Sequence, residues 1–358
     1  MELLKVAAAA AALLLAVPSA FAADSVADFY KGRTVTIDIG YSAGGGYDLY
    51  ARVLARHLGA HIPGNPSVIP QNMPGAGSLK ATNYLYNVAP KDGTAMGCFN
   101  QNIPMDQVLD KTKLKFDVRK FNWIGTPTHD NNVLFLWYKT GIKTVAEASK
   151  EPLVIGAGAG GNTPATIYPR IVNNFFGTKF RVISGYPSQE ALLALERGEV
   201  SGLGSRSWAG LEREKPEWVR DHKLNVLFQI GTEKDADLPN APLLSDLAKT
   251  DEQREVLEFI SRSVAVGRPI VAPPGVPADK VAALRAAFDA AVTDPKFLAD
   301  AEKQKLAVAP TSGKELQALV DKIVAVSPHA VAMLKEALKA KVSKRKGGKK
   351  KKKKKHAS

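Results

Sequence analysis

The sequence is poor in cysteine and in long apolar runs. Its one cysteine, Cys98, excludes an internal disulfide and lies in the strand-like stretch TAMGCF, where it is typical of a small buried side chain. The longest apolar run, 6–17, has twelve residues, whereas a bilayer-spanning helix needs roughly 20. This run follows Lys5 and precedes a small-x-small triplet at 20–22, the pattern of a cleaved export signal. We therefore expect residues 1–22 to be a signal peptide, cleaved near Ala22, and the mature protein to be periplasmic.

Acidic residues are missing from the end of the chain. Residues 339–358 contain twelve basic side chains and no acidic one, and removing them from the formal net charge of +14 leaves about +2 for the rest. A nearly neutral body with a cationic tail is not typical of a nucleic-acid-binding domain, and export also argues against that partner. We expect the tail to be disordered, because its like charges repel and it has little apolar surface to bury. It is either a solvated extension or a segment that adheres to an anionic membrane.

The remaining chain, roughly 320 residues, is longer than one hydrophobic core usually covers and favours two domains. Strand-like runs alternate with amphipathic helical patterns, which predicts an α/β fold of βαβ units with mostly parallel sheets and flanking helices. The predicted strands are 34–41, 67–72, 94–100, 133–138, 153–158, 180–186 and 225–231. The predicted helices include 47–58, 78–88, 164–176, 188–197, 251–261, 278–293 and 314–325.

Two glycine motifs match enzyme signatures in letter but not in context. The stretch GYSAG at 40–44 fits the nucleophile elbow G-x-S-x-G, but two further glycines separate Ser42 from its helix. About 17 mature residues precede Gly40, too few for the earlier strand and loop that complete that oxyanion hole. The stretch GAGAGG at 156–161 fits the dinucleotide fingerprint, but the next strand ends in SGY without the acid that holds a ribose. A serine hydrolase using Ser42 remains an alternative, and we expect no cofactor.

A pair of histidines has a spacing that could hold a metal. His57 and His61 lie four residues apart on one predicted helix. Leu58 occupies the place of the glutamate in H-E-x-x-H, and no third ligand is evident. We therefore expect two surface histidines and no metal.

The two glycine-rich turns share a simpler property. Each follows a predicted strand and opens a predicted helix, one early in the chain and one in its middle. Glycine lets backbone N–H groups converge on an anion, and a helix dipole adds favourable potential at its amino end. Facing each other across a cleft, the two turns could hold a carboxylate without a metal or a nucleophile. Taken singly, each is equally well explained as a tight strand-to-helix turn.

At this point the sequence resembles a known family. An export leader, GYSAGGGYDLYAR at 40–52, PQNMPGAGSLKATNYLYNVAPKDGT at 70–94 and VGRPIVAPPGVPADKVAALRAAFDAAVTDPKFL at 266–298 are similar to the extracytoplasmic solute receptors of tripartite tricarboxylate transporters. The likeness runs in order from about residue 28 to residue 325. It implies a two-domain periplasmic-binding-protein fold of type II. It also implies that a small carboxylate is bound in the interdomain cleft, through backbone amides and water, and delivered to two membrane permease subunits.

The resemblance also implies a domain division and a monomer. The first domain would combine 23–126 with 231–338, including the C-terminal helices; 127–230 would form the second domain, and 339–358 the tail. A ligand-sensing receptor of the same fold is a further alternative, since the sequence does not separate sensing from transport.

Matched to the family's motifs, residues of both domains become candidate ligand contacts. The candidates are Tyr41, Ser42, Gly45, Gly46, Tyr47, Asp48, Gly77, Ser78, Asn100, Gln101, Gly161, Asn162, Thr163, Tyr186, Ser205 and Arg206. Asp48 is also explained as a helix cap, and Arg206 either clamps a second carboxylate or is structural. Tyr47 stands where the family commonly has a small hydroxyl residue. If Phe99 and Trp208 face inward with the tyrosines, the cleft is aromatic and suits an aromatic or larger carboxylate better than citrate. Otherwise several of these rings pack in the core.

Overall fold

The computed structural model describes residues 25–110, 114–158, 163–186 and 188–339. Within these ranges the chain forms two β-sheets with helices around them. The strands are β1 (Thr34–Ile39), β2 (Ser67–Asn72), β3 (Ala95–Cys98), β4 (Asn122–Thr126), β5 (Asn132–Trp137), β6 (Pro152–Gly158), β7 (Lys179–Tyr186), β8 (Gly202–Ser207), β9 (Leu224–Ile230), β10 (Ile270–Ala272) and β11 (Thr311–Ser312). The first sheet has the order β11-β4-β10-β3-β1-β2, and the second has the order β7-β6-β8-β5-β9.

The helices cover the faces of both sheets. They are α1 (Val26–Tyr30), α2 (Gly46–Leu58), α3 (Leu79–Asn87), α4 (Ile103–Leu109), α5 (Val145–Ala148), α6 (Pro164–Phe176), α7 (Ser188–Glu196), α8 (Trp208–Glu214), α9 (Pro216–Arg220), α10 (Asp251–Ala265), α11 (Ala278–Ala291), α12 (Pro295–Lys303), α13 (Gly313–Val324) and α14 (Pro328–Leu338). None of the helices in the described ranges is long and apolar enough to cross a bilayer.

The expected α/β fold is confirmed, and the predicted elements are found with shifts of a few residues at their ends. Helix α2 shows why: Val53, Leu54 and Leu58 recur at helical spacing and are fully buried against β1 and β2. The strands β4, β8, β10 and β11 were not predicted. They are short or glycine-containing, and β11 has only two residues, so none carries a clear alternation.

Most strands of each sheet run in one direction, as expected, but both sheets are mixed. Strands β5 and β10 each run antiparallel to both of their neighbours. Each is the first strand after the chain passes from one sheet to the other, so no βαβ crossover within its own sheet leads into it. A strand delivered by a βαβ crossover would instead be parallel to its neighbour.

The hydrophobic core does not stop at the boundary between the sheets. One cluster of buried side chains includes Phe99 and Trp123 from the first sheet region together with Leu134 and Phe228 from the second. Helices α10, α13 and α14 contribute apolar side chains to the same cluster. Helix α14 packs against α6 beside the second sheet, where Asn174 Nδ2 donates to the carbonyl of Ala337 at 2.7 Å. The two sheets therefore share part of one apolar interior.

Candidate functional site

A cavity of about 410 Å³ is lined by residues from both sheets. The carboxyl ends of β1 and β3 from the first sheet meet those of β6, β7 and β8 from the second at this place. In α/β proteins, ligands bind outside the carboxyl ends of parallel strands, and this volume suits a small organic molecule. Of the sequence candidates, nine line the cavity: Tyr41, Gly46, Tyr47, Asn100, Gln101, Thr163, Tyr186, Ser205 and Arg206.

The first glycine turn opens α2 with no side chain capping the helix. Its N-cap residue is Gly45, and Gly46 lines the cavity. Gly44 has φ of +85°, a left-handed conformation that glycine adopts without strain. The backbone N–H groups of a first helical turn have no intrahelical partners, so this end of α2 presents free donors and positive potential.

Asp48 stabilises this turn through hydrogen bonds. It does not line the cavity, so its position does not support its assignment as a ligand contact. Its side chain is buried and accepts hydrogen bonds of 2.8 Å from Gly44 N, Arg52 Nε and Asn72 Nδ2. Asn72 Nδ2 also donates to the carbonyl of Tyr41 at 3.0 Å. Burial alone would raise the pKa of Asp48, but these hydrogen bonds outweigh burial and hold the pKa below its ordinary value. The carboxylate therefore stays charged and braces the turn.

Arg268, which the sequence reasoning missed, lies beside the amino end of α2. A Cβ placed on Gly46 would lie 3.6 Å from Arg268 Nε, so the guanidinium faces the glycine directly. Its centre lies 5.9 Å from the ring of Tyr47 and 5.1 Å from that of Tyr50, within cation–π range. Burial alone would lower the pKa of Arg268, but Asp130 and the two tyrosines together outweigh burial and raise the pKa above its ordinary value. The guanidinium therefore keeps its charge.

Arg268 also ties the two sheets together. Its Nη1 donates to Asp130 Oδ1 at 3.0 Å, and the same carboxylate accepts a hydrogen bond from Ser207 at the end of β8. The Arg268 backbone N–H donates to Thr126 Oγ1 at 2.9 Å. Arg268 Nε is buried and has no hydrogen-bond partner among the described residues. The only sequence signal was an arginine just before a short strand, 138 residues from its carboxylate partner.

Four tyrosines line the cavity, but the other expected rings do not. Tyr41 and Tyr47 stack with ring centroids 4.4 Å apart, and Tyr50 and Tyr186 complete the set. Burial raises the pKa of Tyr47 to about 12, and its hydroxyl oxygen accepts a hydrogen bond from Gln101 N at 3.1 Å.

The remaining two rings of the proposed aromatic cleft pack away from the cavity. Phe99 is buried in the apolar cluster that the two sheets share, and Trp208 is buried in a separate cluster beside the second sheet. Of the two alternatives left open by the sequence, packing in the core is therefore the one that holds for Phe99 and Trp208. Phe99 directly follows β3, and Trp208 begins α8 directly after β8.

Positively charged side chains outnumber negatively charged ones in the described cavity lining. Arg206 and Arg213 both pair with Glu214, the latter at 3.1 Å, and Arg268 pairs with Asp130. Among the described residues, the Lys305 side chain has no partner for an ion pair or a hydrogen bond. Four cationic side chains against two acidic ones leave the lining at a net +2, which favours an anionic ligand.

Five candidates are placed outside the cavity lining, and two lie outside the described residues. The five are Ser42, Gly45, Asp48, Gly77 and Ser78; the two are Gly161 and Asn162. Ser78 is buried, and its Oγ accepts a hydrogen bond from Asn100 N at 3.2 Å. It therefore supports a lining residue instead of being one.

The histidine pair has a structural role. His57 Nε2 lies 3.0 Å from Asp300 Oδ2, and His61 Nε2 lies 2.9 Å from Asp294 Oδ2. Both carboxylates belong to α12 or its cap, so the histidines fasten α12 to α2 and are part-buried, not surface residues. Across the ranges that the structure describes, no cluster of three metal-binding side chains occurs.

Comparison with known proteins gives one sequence relative and several structural ones. No protein-family model matches the chain. The chain is 30% identical over 249 residues to the UPF0065 protein in the gbd 5′ region of Cupriavidus necator, covering 68% of this chain and 72% of that protein. A TctC solute binding protein from Polaromonas superposes with a TM-score of 0.63 at 20% identity, covering 86% of this chain and 99% of that one. MatC from Rhodopseudomonas palustris, solved with bound malate, has a TM-score of 0.59 at 18% identity, with coverages of 86% and 99%.

Proposed function

The chain belongs to the family of TctC- and Bug-type solute-binding proteins, the extracytoplasmic receptors of tripartite tricarboxylate transporters, and from this premise we propose that it is a periplasmic receptor for a small carboxylate. The ligand would bind in the cavity between the two sheets. The malate bound in MatC supports a carboxylate as the ligand class.

One observation carries the proposal: the uncapped amino end of α2 lies against the Arg268 guanidinium at the cavity wall. Helix amino ends bind anions through free N–H groups, and arginine recognises carboxylates with its planar donors. The two donors together suit one carboxylate at Gly46. Tyr47 and Gln101 would border this carboxylate, and Thr163, Tyr186 and Ser205 would approach the ligand from the opposite wall.

Ligand contacts from both walls would favour a closed state that the permease recognises. The chain passes between the sheets at 127–131 and again at 231–269, which supports a division into domains at 23–126 with 231–338 and at 127–230. These two passages would serve as the hinge. Delivery to permease subunits, action as a monomer and cleavage of the export signal are parts of the same proposal.

Catalysis is not part of the proposed function. Ser42 is exposed, does not line the cavity and makes no hydrogen bond to a histidine in the part of the chain that the structure describes. The serine-hydrolase alternative therefore gains no support from the site geometry. A sensing receptor would use the same binding step, and only its partner would differ.

A thermal-shift screen of the mature protein against dicarboxylates, tricarboxylates, aromatic acids and amino acids tests the proposal. A true ligand at a hundredfold excess over its Kd stabilises the protein by about 2.7 kcal/mol. Arg268→Met should weaken binding of the hit acid by about 10- to 100-fold, because a hydrogen bond to a charged group is lost. Arg262→Met, which removes an arginine from the surface of α10, is the matched control and should leave affinity unchanged. The absence of any shift, or equal effects of the two variants, would contradict the proposal.

A further inference from the structure

The turn between α12 and β11 carries a lysine in an unfavourable backbone conformation. Lys305 has φ of +54°, in the left-handed region that residues with a Cβ rarely adopt. Glycine or asparagine would fit this position with less strain. Because Lys305 lines the cavity, its side chain stands where it can meet a bound ligand.

The two residues directly after Lys305 hold this turn in place. Leu306 is buried in the first sheet's apolar cluster, and its N–H donates to the carbonyl of Ala301 at 2.9 Å. The carbonyl of Ala307 accepts a hydrogen bond of 2.7 Å from the hydroxyl of Tyr50, which lines the cavity from α2. Lys305 is thus followed directly by one residue held in the core and one bonded to a cavity-lining tyrosine.

The helix before the turn is fastened to the helix that opens at the cavity. Asp300 of α12 accepts hydrogen bonds from Arg56 Nε at 2.9 Å and from His57 at 3.0 Å. Asp294, the N-cap of α12, pairs with His61 at 2.9 Å. All three partners belong to α2 or to the turn directly after it, so the position of Lys305 is set relative to α2.

Lys305 is the one cationic side chain of the described lining that has no carboxylate within ion-pair distance, whereas Arg206 and Arg213 share Glu214. Arg206, Arg213 and Arg268 are each within ion-pair distance of a glutamate or aspartate that also lines the cavity. A carboxylate bound at Gly46 would use the donors at α2 and Arg268. That arrangement leaves the Lys305 ammonium to attract a second negative charge.

We propose that Lys305 is a specificity-determining residue whose ammonium binds a second anionic group of the ligand, so that the receptor selects dianionic over monoanionic acids. This inference rests on the proposed function. It assigns the first carboxylate to the amino end of α2 and the second to the cavity edge formed by the turn after α12.

Isothermal titration with matched acids tests the inference. The probes are adipate and hexanoate, and malate and 3-hydroxybutyrate; in each pair a methyl group replaces one carboxylate of the dianion. The parent should bind at least one dianion more than tenfold tighter than its partner. Lys305→Gln should weaken that dianion about 5- to 20-fold and its monoanionic partner less than twofold. Lys305→Arg should retain the preference.

Lys303→Gln is the matched control, because it removes the same charge two residues earlier, at the end of α12 and outside the cavity lining. It should change neither affinity more than twofold. The dianion preference of the parent should fall as salt is raised, whereas that of Lys305→Gln should not.

The outcomes separate the two proposals. If the parent binds an acid but Lys305→Gln weakens both members of a pair equally, or neither, the role of Lys305 is wrong while the receptor function stands. A parent that prefers the monoanions would likewise overturn the role of Lys305 and leave the receptor function intact. If none of the four acids binds, the inference about Lys305 is overturned, and the thermal-shift screen alone decides whether the receptor function stands.

Discussion

Replacing Asp48 by asparagine would separate bracing of the glycine turn from contact with the ligand. The side chain of Asp48 is buried behind the turn and accepts hydrogen bonds from Gly44 N, Arg52 Nε and Asn72 Nδ2. An asparagine of the same shape keeps one carbonyl oxygen as an acceptor. Its amide group would face at least one of these donors, so a donor would be left without a partner.

The cost can be estimated from these bonds. Hydrogen bonds to a charged group contribute about 1.5–3 kcal/mol each, and the part-exposed Arg52 lies at the low end of this range. Losing one to two of the three bonds predicts that Asp48→Asn lowers the free energy of unfolding by about 2–3 kcal/mol. A chain with roughly 300 folded residues has an unfolding entropy of about 0.6 kcal/mol/K, so the melting temperature should fall by about 4 °C.

The pH dependence gives the sharper result. The pKa of Asp48 is lowered in the folded protein, so its contribution is present above the unfolded pKa and is lost as pH falls through the folded pKa. The stability difference between parent and Asp48→Asn should therefore be constant above about pH 5 and should shrink below about pH 4. Calorimetry from pH 3 to pH 8 would measure it.

An acid in the first turn of another helix provides the control. Asp279 lies in the first turn of α11 and is exposed, so Asp279→Asn should cost less than about 0.5 kcal/mol at any pH. Because the turn carries Gly46, Asp48→Asn should also weaken acid binding although the side chain does not reach the cavity. A variant as stable as the parent at pH 7, or a deficit that persists unchanged at pH 3, would refute the reasoning.

Other residues give further tests. Burial raises the pKa of Asp106 to about 6, so the folded protein loses stability as pH rises from about 4 through 6. Asp106→Asn should therefore raise the free energy of unfolding by up to about 3 kcal/mol at pH 7.5 and leave it unchanged at pH 4. Calorimetry at the two pH values would measure this. Tyr50→Phe should cost about 1 kcal/mol, because its bond to Ala307 is lost, and should reduce any dianion preference in titrations. Burial raises the pKa of the Cys98 thiol to about 12, so a thiol reagent should label Cys98 only after denaturant is added, as absorbance would report.

The sequence predicted those parts of the fold that carry local patterns. Strand β2 and helix α6 were predicted with the bounds that the structure has, because β-branched residues or a Thr-Pro start mark them directly. The direction of β5 and β10 could not be predicted, since it depends on where the chain crosses between sheets. Nothing in a single strand's residues records that crossing.

The candidate site divides in the same way. The glycine turn and Tyr47 were found because a motif in one stretch of chain marks them. Arg268 and Lys305 were missed, because each reaches the cavity through contacts between segments far apart in the sequence. Asp48 was ambiguous, since only the positions of Arg52 and Asn72 decide that its carboxylate faces away from the cavity.

The apolar cluster shared by the two sheets has a consequence for how the molecule unfolds. Phe99 and Trp123 lie in one continuous interior with Leu134 and Phe228, and α14 closes it. Separating the two halves would expose this interior to water, so neither half retains a complete core on its own. Equilibrium denaturation should therefore be one cooperative transition, with equal calorimetric and van't Hoff enthalpies, although two separate sheets would suggest two steps.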